Sequence, residues 1–140
     1  MLPVQRVPFT SRPDIELLRL APPPAEWTGP EFDDSAWKNG NGGFGTENTP
    51  GSVVRTEWKS SDIWLRRTFD LPEGDYESAQ LLMHHDEDAQ VYLNGTLAAA
   101  EEGYTRDYVT FDINPEARRT LRQGRNVMAV HCRQTRGGQY

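Results

Sequence analysis

A single cysteine, Cys132, leaves this chain without an internal disulfide and without a cysteine-based zinc site. It sits inside an apolar run, where a lone cysteine packs as a small core residue. No stretch approaches the ~20 apolar residues that a membrane-spanning helix needs, so no membrane partner is expected. Residues 1–10 carry Pro3 and Pro8 and no apolar segment, and do not read as a signal peptide; export would rely on a leader outside these residues. Positive charge is also in short supply. Fifteen Lys and Arg stand against 21 Asp and Glu, a net charge of −6, and only Arg66-Arg67 and Arg118-Arg119 are adjacent. A scattered, outnumbered set of cations does not suit a polyanion, which argues against nucleic-acid binding.

What is present is enough for one packed domain. The 140 residues are 36% hydrophobic, and four Trp, five Tyr and five Phe supply large core side chains. Residues 1–30 hold seven of the ten prolines. Within them Ile15 to Leu20 can form one strand, closed by Pro22-Pro23-Pro24. In Phe32-Asp33-Asp34-Ser35-Ala36-Trp37, either aspartate can cap a single helical turn while Phe32 and Trp37 plug inward. Residues 39–45 are too glycine-rich for regular structure and read as a loop.

Alternation then predicts strands over 63–71, 79–85, 89–93, 96–99, 108–113 and 126–132. Ile63, Leu65, Phe69 and Leu71 share one face of the first, and Trp64, Arg66, Thr68 and Asp70 the other. Arg67 interrupts the inward series and needs a partner or a route to solvent. Asn94-Gly95 predicts a type I′ hairpin. Helix is expected only as short turns near 33–37 and 115–121. Leu65, Phe69, Leu82, Val91, Leu93, Phe111, Val127 and Ala129 are the expected core, with Trp37 covering one end. Many short strands and no βαβ rhythm imply an all-β antiparallel sandwich or jelly roll.

Four segments occur in a telling order: Phe32 to Trp37, Ile63-Trp64-Leu65-Arg66-Arg67-Thr68-Phe69-Asp70-Leu71-Pro72, Asp88-Ala89-Gln90-Val91-Tyr92-Leu93-Asn94-Gly95, and Leu121-Arg122-Gln123-Gly124-Arg125-Asn126-Val127-Met128-Ala129-Val130. Together they resemble the N-terminal sugar-binding domain of glycoside hydrolase family 2 proteins, a galactose-binding-like jelly roll, over roughly residues 27–138. The resemblance divides the chain into an N-terminal segment, 1–26, with one strand and a Pro-rich linker, and a jelly-roll module, 27–140. It also implies a closing strand, which Arg136-Gly137-Gly138-Gln139-Tyr140 would only begin, so a fragment of a longer protein is expected. The implied partners are carbohydrate or an adjacent catalytic domain of the same polypeptide, with no required cofactor. Folds of this type often bear a structural calcium. An extracellular or periplasmic setting is expected over a cytoplasmic one.

Several patterns invite chemistry. Gly40-Asn41-Gly42-Gly43-Phe44-Gly45 matches GxGxxG, but no helix opens after it to aim amides at a pyrophosphate, so it reads as a loop. The His84-His85-Asp86-Glu87-Asp88 run could offer oxygen ligands from Asp86 and Asp88 to calcium, or a His pair to zinc; a polar strand end with one buried histidine explains it as well. Adjacent carboxylates at Asp33-Asp34, 86–88 and Glu101-Glu102 serve in turns as caps or solvated charge, and nothing in their spacing sets two of them across a sugar. No nucleophile elbow is present. The chain is therefore not read as an enzyme by itself.

Sugar sites combine an aromatic face with amides and charges that hold hydroxyls. The residues of that kind are Trp58, Asp62, Trp64, His84, His85, Tyr104, Arg133 and Gln134, expected at a loop end of the sandwich. For Trp58 and Trp64 a second small core under the 38–62 loop competes with binding. Three functions follow: a carbohydrate-contacting accessory module of a glycoside hydrolase-like protein, a structural docking domain without sugar affinity of its own, or a small metal-dependent hydrolase built on His84–Asp88.

Overall fold

The computed structural model describes residues 15–41, 44–45, 56–58, 60–85, 88–105 and 107–134. Its body is a six-stranded antiparallel sheet in the order β2(Lys38–Asn41), β1(Ile15–Arg19), β5(Asp62–Leu71), β10(Gly124–Arg133), β7(Asp88–Leu93), β8(Thr96–Glu101). A second antiparallel pair, β6(Gln80–Met83) and β9(Val109–Asp112), lies against one face. β3(Phe44–Gly45) and β4(Thr56–Glu57) make a two-residue parallel bridge apart from both. The only α-helix among the described residues is α1(Pro115–Arg118), opened by proline at its first position, where no amide donor is needed. The expected all-β sandwich is the architecture observed.

The sandwich core follows from period-two alternation. Ile63 and Leu65 of β5, Val130 and Cys132 of β10, and Ala89, Val91 and Leu93 of β7 share the inner face and are buried with Leu81 of β6. Burial pushes the Cys132 thiol up to about 12, so it stays a neutral packing group. Asn94 and Gly95 both take positive φ, 48° and 90°, as a type I′ turn requires. Its tip packs closely: a side chain at Gly95 would begin 3.4 Å from the Gly29 Cα. Asn94 also ties the hairpin to β10 by accepting from Val127 N at 2.9 Å and donating to Asn126 Oδ1 at 2.9 Å.

Four expectations need correction. Leu82 is 44% exposed and Leu81 is the buried residue; two adjacent leucines carry no phase, and the pairing of Leu81 with Phe111 sets it. Phe69 and Phe111 are only partly buried, packed against the core cluster from β5 and β9 rather than enclosed within it. Residues 38–41 pair with β1 as a strand in spite of their glycine, because an available sheet edge outweighs weak propensity. Finally, the 32–37 turn covers the outer face of the large sheet rather than one end of the sandwich.

That outer face carries a second core. Trp64 and Ala129 are buried beneath Trp27 and Trp37, with Phe32 and Tyr92 at the margin. Trp27 enters on a 3-10 turn, Ala25–Thr28, and Trp37 on a turn closed by its own amide to Asp34 O at 2.9 Å. Asp33 caps that turn by accepting from Ser35 N at 3.0 Å, and the hydrogen bonds from Ser35 hold its carboxyl below the usual value. Arg66, 2% exposed, pins the lid: its Nε donates to Asp34 Oδ2 at 2.8 Å, and Nη1 donates to the carbonyls of Gly29, at 3.0 Å, and Trp27. Its guanidinium lies 5.2 Å from the centre of the Phe32 ring.

Candidate functional site

The strands run so that one end of the sandwich collects the start of β5, the end of β10, the start of β7 and the end of β8. Across these strands Asp62 pairs with Arg133 and Arg133 with Asp88, giving a carboxylate–guanidinium–carboxylate row; the next row on the same face is Trp64, His131 and Gln90. Asp62 Oδ1 lies 2.7 Å from His131 Nε2, and Asp62 Oδ2 accepts from Ser61 Oγ at 3.0 Å. The His131 ring stacks on Trp64 with centroids 4.7 Å apart and planes 5° from parallel. One imidazole is therefore held by an indole on its face and a carboxylate at its edge.

Two loops are tied to this end. Asp88 Oδ1 accepts from Gly103 N at 2.8 Å, and Thr105 and His85 exchange two bonds, Thr105 N to His85 O at 2.9 Å and His85 N to Thr105 Oγ1 at 3.1 Å. Gln134 N donates to Ser61 O at 2.7 Å. Residues 60–62, 84–85, 88, 101–105 and 131–134 thus meet at one rim.

The individual residues fall into two groups. Trp58 is 1% exposed, part of the main core, with Nε1 donating to Ser60 Oγ at 3.0 Å and Asp62 O at 3.2 Å. Trp64 faces outward from the sandwich, as alternation predicts, but lies under the Trp27–Trp37 lid. His85 is 4% exposed beside Phe111. These three are walled in. Tyr104 is 59% exposed, Arg133 is exposed, and Asp62, Asp88, His84 and Gln134 are half-buried. Arg133 has Asp62 and Asp88 as cross-strand neighbours. The histidine that joins this cluster is His131, whose place on the β10 outer face was readable but whose partners were not. Asp86 and Glu87 lie outside the described residues, as do 1–14 and 135–140. Among the described residues no group of three His, Cys, Asp or Glu is placed to hold a metal ion.

His84 packs edge-on to Tyr108, with ring centroids 5.6 Å apart. Burial holds its pKa below the ordinary histidine value, against the opposing pull of Asp107. A histidine whose folded pKa is depressed contributes stability that is complete above its unfolded pKa, near 6.5, and is lost as pH falls through the folded value. His84→Asn should therefore flatten the decline in melting temperature below pH 6.5; an unchanged slope in a pH series would show that other groups carry it.

No protein-family model matches the chain, and no curated protein matches it. Solved structures do share its fold. A β-glucuronidase from glycoside hydrolase family 2 superposes over 88% of this chain with a TM-score of 0.60 and 18% identity, using 13% of its own length. Bacteroides uniformis β-glucuronidase 2, covalently bound to cyclophellitol-6-carboxylate aziridine, gives 88%, 0.60 and 23% over 14% of its length. A glycosyl hydrolase family 2 member from Bacteroides cellulosilyticus gives 90%, 0.61 and 19% over 18%. The chain thus spans less than a fifth of each of these proteins.

Proposed function

We propose that this chain is a non-catalytic accessory domain of a glycoside hydrolase family 2-like protein, and that it contacts carbohydrate through the rim formed by residues 60–62, 84–85, 88, 101–105 and 131–134. The observation that carries the accessory reading is the fold match, which takes in nearly all of this chain but only 13–18% of much longer hydrolases. The rim supports the carbohydrate reading. Asp62, His131, Arg133 and Asp88 alternate acceptors and donors along one face, and Tyr104 offers an exposed ring beside them. A sugar needs that combination, hydroxyl partners fixed on strands and one aromatic face for its C–H groups.

Titration of the chain against a glycan panel tests this reading. Tyr104→Ala and Arg133→Ala should each abolish binding and leave the melting temperature nearly unchanged, because both side chains are exposed. One specific observation favours the docking alternative: Trp58 and Trp64, the largest stacking surfaces, are consumed by packing. If the parent chain binds no glycan at millimolar concentration, the rim is a face that rests on a neighbouring domain, and the docking function replaces carbohydrate contact.

A further inference from the structure

The far end of the sandwich, roughly 30 Å along the ten-residue β5 from the rim, holds a separate cavity that opens widely to the surface. Its volume is about 510 Å³, within the range of small-molecule sites. Asp75, Tyr76 and Glu77, from the turn after β5, form one wall; Pro115, Arg118 and Arg119, from α1 and its end, form the other. The walls carry opposite charge, yet neither arginine pairs with a carboxylate among the described residues.

Both walls are held in place without using up their charges. Arg118 Nη2 donates to Ile113 O at 3.0 Å, which fixes the guanidinium, while its solvent-shielded Nε has no hydrogen-bond partner among the described residues. On the opposite side Asp75 Oδ1 accepts from Glu77 N at 2.9 Å, and Tyr76 OH donates to Pro72 O, so turn and ring are ordered. A free inorganic anion would meet two arginines but also two carboxylates. A cation would meet the reverse, and a neutral sugar would leave the guanidinium groups without a charged acceptor. A ring polyol bearing one carboxylate answers both walls, its carboxylate taken by Arg118 and Arg119 and its hydroxyls donating to Asp75 and Glu77. The Tyr76 ring and Pro115 supply apolar surface for its C–H groups.

We propose that this cavity is a binding site for a sugar acid, distinct from the rim and independent of whether the rim binds carbohydrate. The test is an amide-resolved NMR titration of the 140-residue chain with sodium D-glucuronate, with D-glucose and sodium acetate as comparisons. Saturable shifts at the amides of residues 74–77 and 116–121 are expected, stronger for glucuronate than for either comparison. Arg119→Gln, at an exposed side chain with no side-chain hydrogen bond among the described residues, should weaken glucuronate about tenfold or more, the value of one charge-assisted hydrogen bond. Glu77→Gln should weaken it less, since the amide still accepts from a hydroxyl. The proposal fails if glucuronate gives no saturable shift there, if acetate gives an equal response, or if Arg119→Gln binds as the parent does. Shifts confined to residues 88, 103 and 131–134 would report the rim instead, and would equally overturn the assignment to this cavity.

Discussion

Trp58→Ala should lower the free energy of unfolding by about 3–5 kcal/mol, the range for truncating a fully buried aromatic side chain. The indole is 1% exposed and packs with Ile63, Leu65 and Cys132 in the main core. Two further losses add to the cavity. Ser60 Oγ and the Asp62 carbonyl both accept from the indole nitrogen, so its removal frees the stretch that leads into β5. Trp58→Phe keeps most of the volume and loses only the donor, and should cost markedly less, about 1–2 kcal/mol. Urea unfolding of the three proteins checks both values. A loss below ~1 kcal/mol for the alanine variant would mean that the ring is not a core residue, and would return Trp58 to the set of stacking platforms.

Arg66→Met should cost about 2–4 kcal/mol, though it removes a charge from the interior and keeps most of the side-chain volume. The reason lies in what is left behind. Asp34 loses the cation at 2.8 Å, and the carbonyls of Trp27 and Gly29 lose their donor inside the covered face. The side chain of Asp34 is 28% exposed, so water recovers part of its loss; the carbonyls are harder to reach, which keeps the expected cost above that of a surface ion pair. The lid is the part that should respond. Trp27, Trp37 and Trp64 would gain access to water, and a red shift of tryptophan emission under native conditions should accompany the lower stability. A double-mutant cycle with Asp34→Asn separates the pair from the carbonyl contacts, because the neutral amide keeps the shape and loses the charge. If Arg66→Met leaves both emission and stability unchanged, hydrophobic packing alone holds the lid.

Both expectations concern residues whose chemistry was legible and whose surroundings were not. Trp64 and Arg66 belong to the outward face of β5 by simple alternation, and that assignment holds. Alternation distinguishes two faces of a strand but cannot say that a turn 30 residues earlier folds back over one of them. A tryptophan suited to a sugar platform thus became the buried half of a stacked pair with His131. The candidate rim was partly readable in the same way. Strand order and direction bring Asp62, Asp88, Gly103 and Arg133 to one end, whereas the contact of Asp62 with His131 joins residues 69 positions apart and depends on the register of β5 against β10.

The sequence by itself determined the strand segments, the Asn94-Gly95 hairpin, the absence of disulfide chemistry and the all-β class, because each depends on local periodicity, on turn stereochemistry or on composition. Only the tertiary structure decided which of Leu81 and Leu82 is inside, that residues 38–41 join a sheet edge, that Trp58 is core, and that a lid pinned by Arg66 closes the outer face. Those outcomes depend on register and on packing between segments far apart in the chain. There the free energy belongs to the contact and is written in neither segment alone.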